Sequence, residues 1–462
     1  MQSFGDKIGD NTMIYRTFST NKNSYNSLSK EDKLILKILE KVVKDVSCLY
    51  SFQLEEGFYP KGITKERLEK AAQDNPALLS PFTYVLEENG KLKAVNYHEH
   101  YAKYLQPIAR TIEKAAEIST NKSYQAYLKA QAKSLLDGNY GRAYRQWLAV
   151  RNSSLDFNLG PFERYLDKIF SIKRTFQAYV GIVDVKNTKL AARNKEVLYT
   201  SAKMSFTKIH SSEVLGRGSS VFIESISAMA GYPADVFLSG QHFPTDLETA
   251  LKYGSKTIIY TSQLKLKFDK LYYPIFKTIF ETRFASKYSK ELLLEAAGWC
   301  VFLYEMGKQL HWFEEAKPKL QQLYDPIDEA NGFASGIEHS KHLVVRGLLP
   351  QDTLEAIIIV HIIWMIADWL LFKNNIVKQR DMMANSILFN SYLSHGALKI
   401  SKGISWPNFS RIFFEIEEMT YKLVYFLQKG SYKEAREFIK QNADLRSFEQ
   451  LSKTLSKINT KI

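Results

Sequence analysis

Tyr304-Glu305-Met306-Gly307-Lys308-Gln309, inside the apolar stretch Trp299–Leu310, places a carboxylate where a metal-hydrolase helix keeps one. Such a helix spaces His-Glu-x-x-His, or sets the second His one place later. Two imidazoles then share a face with a Glu that activates a metal-bound water. Here Tyr304 stands at the first imidazole position, and Lys308 or Gln309 at the second. A tyrosine, a protonated lysine and an amide do not replace two neutral imidazoles around Zn²⁺. Read without that pattern, the stretch is an amphipathic helix with Glu305 and Lys308 as a surface pair at i,i+3.

Nine histidines are available to build a metal site elsewhere. His339 and His342 share a helical face with Glu338 beside them, but two-His spacing alone describes many surface helices. His311 shares a face with Glu314 or Glu315, with no third ligand in view. His361 lies inside an apolar run and reads as a hydrogen-bonded core histidine. No Ser-His-Asp elbow, phosphate loop or dinucleotide fingerprint occurs. No metal ligand set and no cofactor are therefore expected.

The helices that carry these residues dominate the second half of the chain. From Leu264 onward nearly everything reads as helix, broken near Pro318, Pro326, Gly347–Pro350 and Gly403–Pro407. Leu354–Phe372 is long enough to span a bilayer, but it contains Glu355, His361 and Asp368 and reads as a buried core helix. Earlier, Ser29 with Asp32 suits a helix start at Lys30, and Thr64 caps a short helix. Asn89-Gly90 marks a hairpin, and His98 to about Ala149 reads as amphipathic helices. Ser154–Leu159 reads as a strand ended by Gly160-Pro161, and Val180–Val185 as another. Residues 1–29 are polar and read as a loose arm. The fold class is α+β, predominantly helical, with a small β-containing part before a mainly helical one.

The 462 residues carry a net charge of +14. The lysines are spread along the chain rather than gathered into a tail, so they read as solvated helix faces; neither nucleic acid nor a membrane is expected as partner. Two distant cysteines, Cys48 and Cys300, and an N-terminus without an apolar run suit a reducing, cytoplasmic setting.

Four segments together resemble one family. They are Phe58–Glu66 with Ser80–Thr83 and Tyr97–Glu99; Ser134 to Asp184, including LDFNLGPFERYLDKIF; Phe243–Ile275; and Met382–Leu398, MMANSILFNSYLSHGAL. In order and wording they resemble the dipeptidyl peptidase III family of zinc exopeptidases. The resemblance spans most of the chain from about residue 50. It implies two lobes around a wide cleft, with the zinc on a helical lobe and peptide-binding β-structure on the other. The lobes implied are residues 30–255 for substrate, 256–420 for the degenerate zinc motif, and 421–462 as helices returning to the first lobe.

By the same resemblance Glu305 matches the water-activating carboxylate. Glu329, in Asp328-Glu329-Ala330-Asn331-Gly332-Phe333, matches the ligand carboxylate. Phe333 stands where an acid supports a ligand histidine, and Asp381 where a further histidine falls. Asp156 matches the carboxylate that receives the peptide's amine, with Asn158 in place of its aromatic neighbour. Glu305, Glu329 and Lys308 are expected to form a salt-bridged cluster. Three functions follow. The first is a zinc-free non-peptidase that binds a peptide or small ligand in the cleft. The second is a metal-independent acid/base enzyme (isomerase, lyase or cyclase) using Glu305, Glu329, Lys308, Tyr304 and Asp381. The third is a zinc peptidase with unusual ligands. The sequence leaves the oligomeric state open.

Overall fold

The computed structural model describes residues 14–204, 219–244, 247–313, 315–374, 377–400, 403–404 and 406–460. The chain folds as two compact units: residues 1–185 with 224–238, and residues 186–223 with 239–462. The chain thus passes between units after residues 185, 223 and 238.

In the first unit, β1 (Tyr15–Thr17) pairs antiparallel with the end of β6 (Ser219–Ala230), whose residues 224–230 belong here. This corrects the loose arm over its described part: residues 15–17 form a strand, while residues 1–13 lie outside the described residues. Ser29 Oγ accepts from the Asp32 amide at 2.9 Å and starts α1 (Lys30–Glu56) as expected. β2 (Thr83–Glu88) and β3 (Lys91–Asn96) form the Asn89-Gly90 hairpin. Both turn residues have positive φ, 51° and 75°, the geometry a two-residue turn of this kind needs. Helices α2 (Ala102–Ile118), α3 (Lys122–Asp137) and α4 (Tyr140–Leu148) follow.

β4 (Leu155–Glu163) and β5 (Thr175–Val183) complete this sheet, and β5 pairs with β6. Gly160-Pro161 does not end β4. β4 is terminal in the strand order, where a proline's missing N–H costs no ladder bond, and the register shifts in a bulge between Pro161 and Glu163.

In the second unit, β7 (Gly240–Phe243) pairs antiparallel with β8 (Ser255–Tyr260), and β8 stands between β6 and β7. The rest is helical as expected. α5 (Thr261–Lys267) runs into one π-helical turn, Phe268–Tyr272. Then come α6 (Lys290–Leu310), α7 (Tyr324–Val345), α8 (Gln351–Phe372), α9 (Gln379–Ser394), α10 (Phe409–Gln428) and α11 (Tyr432–Asn442). α8 alone among the described helices is long and apolar enough to cross a membrane; 89% of its most apolar stretch is buried in this unit. α11 packs on α9, with Asn390 Nδ2 donating to the Asn442 carbonyl at 2.8 Å. α11 thus lies in the second unit.

Candidate active site on α6 and α7

Three glycines decide how α6 and α7 meet. A Cβ on Gly307 would stand 2.0 Å from the Gly332 carbonyl oxygen, and one on Gly336 2.1 Å from the Leu303 oxygen. A Cβ on Gly332 would strike the Lys308 stem at 2.6 Å. The helices touch backbone to backbone, closer than any side chain allows. That approach sets Tyr304 and Lys308, one turn apart on α6, over Asp328 and Glu329 on α7.

Tyr304 Oη donates to Glu329 Oε2, and Lys308 Nζ donates to Glu329 Oε1 at 2.9 Å. Lys308 Nζ also lies 3.6 Å from Asp328 Oδ2. Burial alone would raise Glu329. Lys308, Arg380 and the bonds from Tyr304 and Lys308 outweigh it and hold the carboxyl at about 2. The phenol of Tyr304 is pushed well up by burial and by Glu329, so it stays a donor. Its ring lies tilted against Phe333, centroids 4.4 Å apart. The expected Lys308–Glu329 pair is present. Asp328 and Tyr304 join it, while Glu305 lies on the β7 side, its Oε1 3.4 Å from where a Gly240 Cβ would be.

Asp381, on the first turn of α9, accepts from Arg380 Nε at 3.0 Å. Burial raises its carboxyl to about 6; Arg380 opposes, while Glu329 and Asp368 add to the rise. Asp328 is raised to about 6, by burial first and then by Glu329 and Asp325 against Lys308. Behind them Lys267 Nζ lies 3.9 Å from Asp368 Oδ1, over the rings of Trp364 and Tyr272 at 5.4 and 5.5 Å. Asp368 Oδ2 accepts from Trp364 Nε1 at 2.9 Å and Asn385 Nδ2 at 3.1 Å. Burial lowers the Lys267 ammonium, and Asp368 and Asp381 pull it back up.

Sequence reasoning did not single out Lys267, Asp368, Arg380 or Asp328. Asp328 and Arg380 each adjoin a residue it did name. Lys267 differs in no local way from Lys265 two places before it; only its burial at the π-helical turn sets it apart.

Asp328→Asn isolates the consequence for stability. Asp328 holds its proton more tightly folded, at about 6, than unfolded, so its contribution is complete below the unfolded carboxylate range and is lost as pH rises through 6. Relative to wild type, Asp328→Asn is expected to gain about 2–3 kcal/mol between pH 4 and pH 7. Urea unfolding of both proteins across that range checks it. Taking the difference cancels the buried histidines, which lower stability as pH falls.

The remaining candidates lie apart from this cluster. Asp156 and Asn158 are neighbours on β4 in the first unit, both buried. Asp156 accepts from Trp147 Nε1 and Tyr179 Oη, each at 2.8 Å. The carboxylate expected to greet an amine is thus engaged within its own unit. Asn158 Nδ2 has no hydrogen-bond partner among the described residues. His339 packs on His311, centroids 5.7 Å apart, and on Glu338. Glu314 lies outside the described residues. His361 is buried as expected, but against Phe333 at 4.9 Å, with no hydrogen-bond partner on either ring nitrogen among the described residues.

No protein-family model matches the chain. Nudix hydrolase 3 of Arabidopsis thaliana is 24% identical over 315 residues, covering 65% of this chain and 39% of that protein. The chain thus spans about two fifths of the length of this curated relative. DPP III from Caldithrix abyssi superposes with a TM-score of 0.83 at 19% identity, over 96% of this chain and 95% of its own. Dipeptidyl-peptidase III from Corallococcus sp. strain EGB gives 0.80 at 17% identity, over 97% and 94%. The chain has the dipeptidyl peptidase III fold, α+β and mostly helical.

Zinc, which the resemblance implies, does not fit the residues present. Tyr304 gives its hydroxyl proton to Glu329, and the Lys308 ammonium that also donates there has no lone pair to offer a metal. The Gln309 amide nitrogen donates to Thr257 Oγ1 and to the Glu305 carbonyl, each at 2.9 Å. Among the described residues no group of three His, Cys, Asp or Glu is placed to hold a metal ion.

Proposed function

We propose that the chain is a zinc-free relative of the dipeptidyl peptidases III that binds a peptide or small ligand beside α6 and α7 without metal-dependent cleavage. One observation carries the reading: both oxygens of Glu329 are taken, one by the Tyr304 hydroxyl and one by the Lys308 ammonium. A lysine charge thereby stands in for part of the metal's. Water without a Lewis acid stays a weak nucleophile, and the scissile carbonyl stays unpolarised. A peptide suits the setting because β7 is terminal in its strand order, and a terminal strand accepts an added strand. The free thiols of Cys48 and Cys300 fit a reducing, cytoplasmic location.

The test is release of arylamine from a panel of dipeptidyl-arylamides, with and without added zinc. The reading expects no turnover above the buffer rate in either condition. Zinc-stimulated turnover that Glu305→Gln abolishes would overturn it.

A second reading, metal-independent acid/base catalysis, rests on Asp328 and Asp381, both raised to about 6 and so within reach of proton exchange near neutral pH. Carbon-detected NMR titration of the two carboxyls checks it. Ordinary values near 4 for both would remove its support.

A further inference from the structure

His242 lies on β7, whose face toward α6 carries Gly240 and His242. It pairs in register with Thr257 on β8, and its Nδ1 lies 2.9 Å from Thr257 Oγ1. That hydroxyl oxygen already accepts from Gln309 Nε2 at 2.9 Å. The Gln309 amide is oriented by two other bonds: Nε2 donates to the Glu305 carbonyl, and Oε1 accepts from Ser219 Oγ at 3.3 Å. Thr257 is buried, so its own proton needs an acceptor, and His242 Nδ1 is the one in reach. With Nδ1 accepting, a neutral ring carries its proton on Nε2. Burial and the nearby Lys308 charge both keep the ring neutral, at about 3. Nε2 is enclosed and has no hydrogen-bond partner among the described residues. The Trp312 ring stands edge-on to it, centroids 5.6 Å apart.

The geometry points to His242 as a ligand-binding residue: the relay Gln309→Thr257→His242 presents a neutral Nε2–H, beside the Lys308 ammonium, as donor to a carboxylate or carbonyl oxygen of the ligand. A neutral imidazole donor keeps its strength across the physiological pH range, unlike an imidazolium. The inference rests on the reading that a ligand binds beside α6 and α7, and it names which atom of that ligand is held.

The experiment is nitrogen NMR on the full chain labelled at histidine, titrated with acetate and separately with N-methylacetamide. The expected result is a neutral Nε2–H tautomer for His242 from pH 5 to 8. Its proton and the Trp312 indole N–H then shift saturably with acetate if a carboxylate is held, or with N-methylacetamide if a carbonyl is. Thr257→Val removes the proton that fixes the tautomer and is expected to weaken the response about tenfold. In case that variant loosens the sheet, His242→Gln and His242→Phe serve with the Trp312 indole as readout: Gln keeps a donor and retains the shift, Phe loses it. An Nδ1–H tautomer, or an Nε2–H that moves with neither probe, overturns the inference. Zinc-dependent turnover would instead overturn the zinc-free reading, so the two fail separately.

Discussion

Lys308→Met is expected to lower the unfolding free energy by about 4 kcal/mol at neutral pH. Methionine keeps most of the stem that lies over Gly332 but removes the ammonium from Glu329 and Asp328. Glu329 would then be a largely enclosed carboxylate, its side chain 13% exposed, with the Tyr304 hydroxyl and the more distant Arg380 as support. Burial would prevail, and its carboxyl would rise from about 2 past its unfolded range. The pH dependence changes sign with it. In wild type Glu329 contributes stability above its unfolded value and loses it as pH falls toward 2. In the variant its contribution is present at low pH and lost as pH rises through the new folded value. Urea unfolding at pH 5 and pH 8 measures both effects. Lys308→Met with Glu329→Gln is expected to recover most of the loss, since removing both charges of a buried pair costs far less than removing one. Unchanged stability and an unchanged pH profile in the single variant would show that the pair does not hold the helices.

Gly336→Ala is expected to cost about 3 kcal/mol or more. The added methyl would stand 2.1 Å from the Leu303 carbonyl oxygen, so α6 and α7 must part. Parting them also draws Tyr304 and Lys308 away from Glu329. Gly298→Ala on the same α6 is the control. Nothing lies within 4 Å of its Cβ position, and alanine is expected to be neutral or to stabilise by up to about 1 kcal/mol. Thermal melts of the two variants decide the matter. Equal melting temperatures would contradict the close crossing.

What was legible in the sequence had local causes. Ser29 with Asp32, the Asn89-Gly90 hairpin and the buried run of α8 each follow from residues within a few positions of one another. Gly160-Pro161 misled because a proline on a terminal strand with a bulge looks, in sequence, like a strand end. The three-residue β1 was hidden by polar flanks and takes its shape from β6, some two hundred residues away.

The site divides the same way. Tyr304, Lys308 and Glu329 were legible because motif positions on two helices survived although the imidazoles did not. The crossing glycines, the Lys267–Asp368 pair and the His242 relay were not. Each depends on what stands opposite, and no spacing within one helix or strand announces that. The partners of Asp156 were equally illegible: the resemblance named the carboxylate, and only the fold shows that Trp147 and Tyr179 donate to it.

In the zinc-free state proposed above, Tyr304 and Lys308 occupy Glu329 in place of zinc. The most direct measurement is metal content by plasma mass spectrometry on protein purified without added zinc or chelator. Zinc far below one ion per chain, unchanged after dialysis against zinc and a desalting step, is the expected result. Near-stoichiometric zinc that Glu329→Gln removes would contradict it.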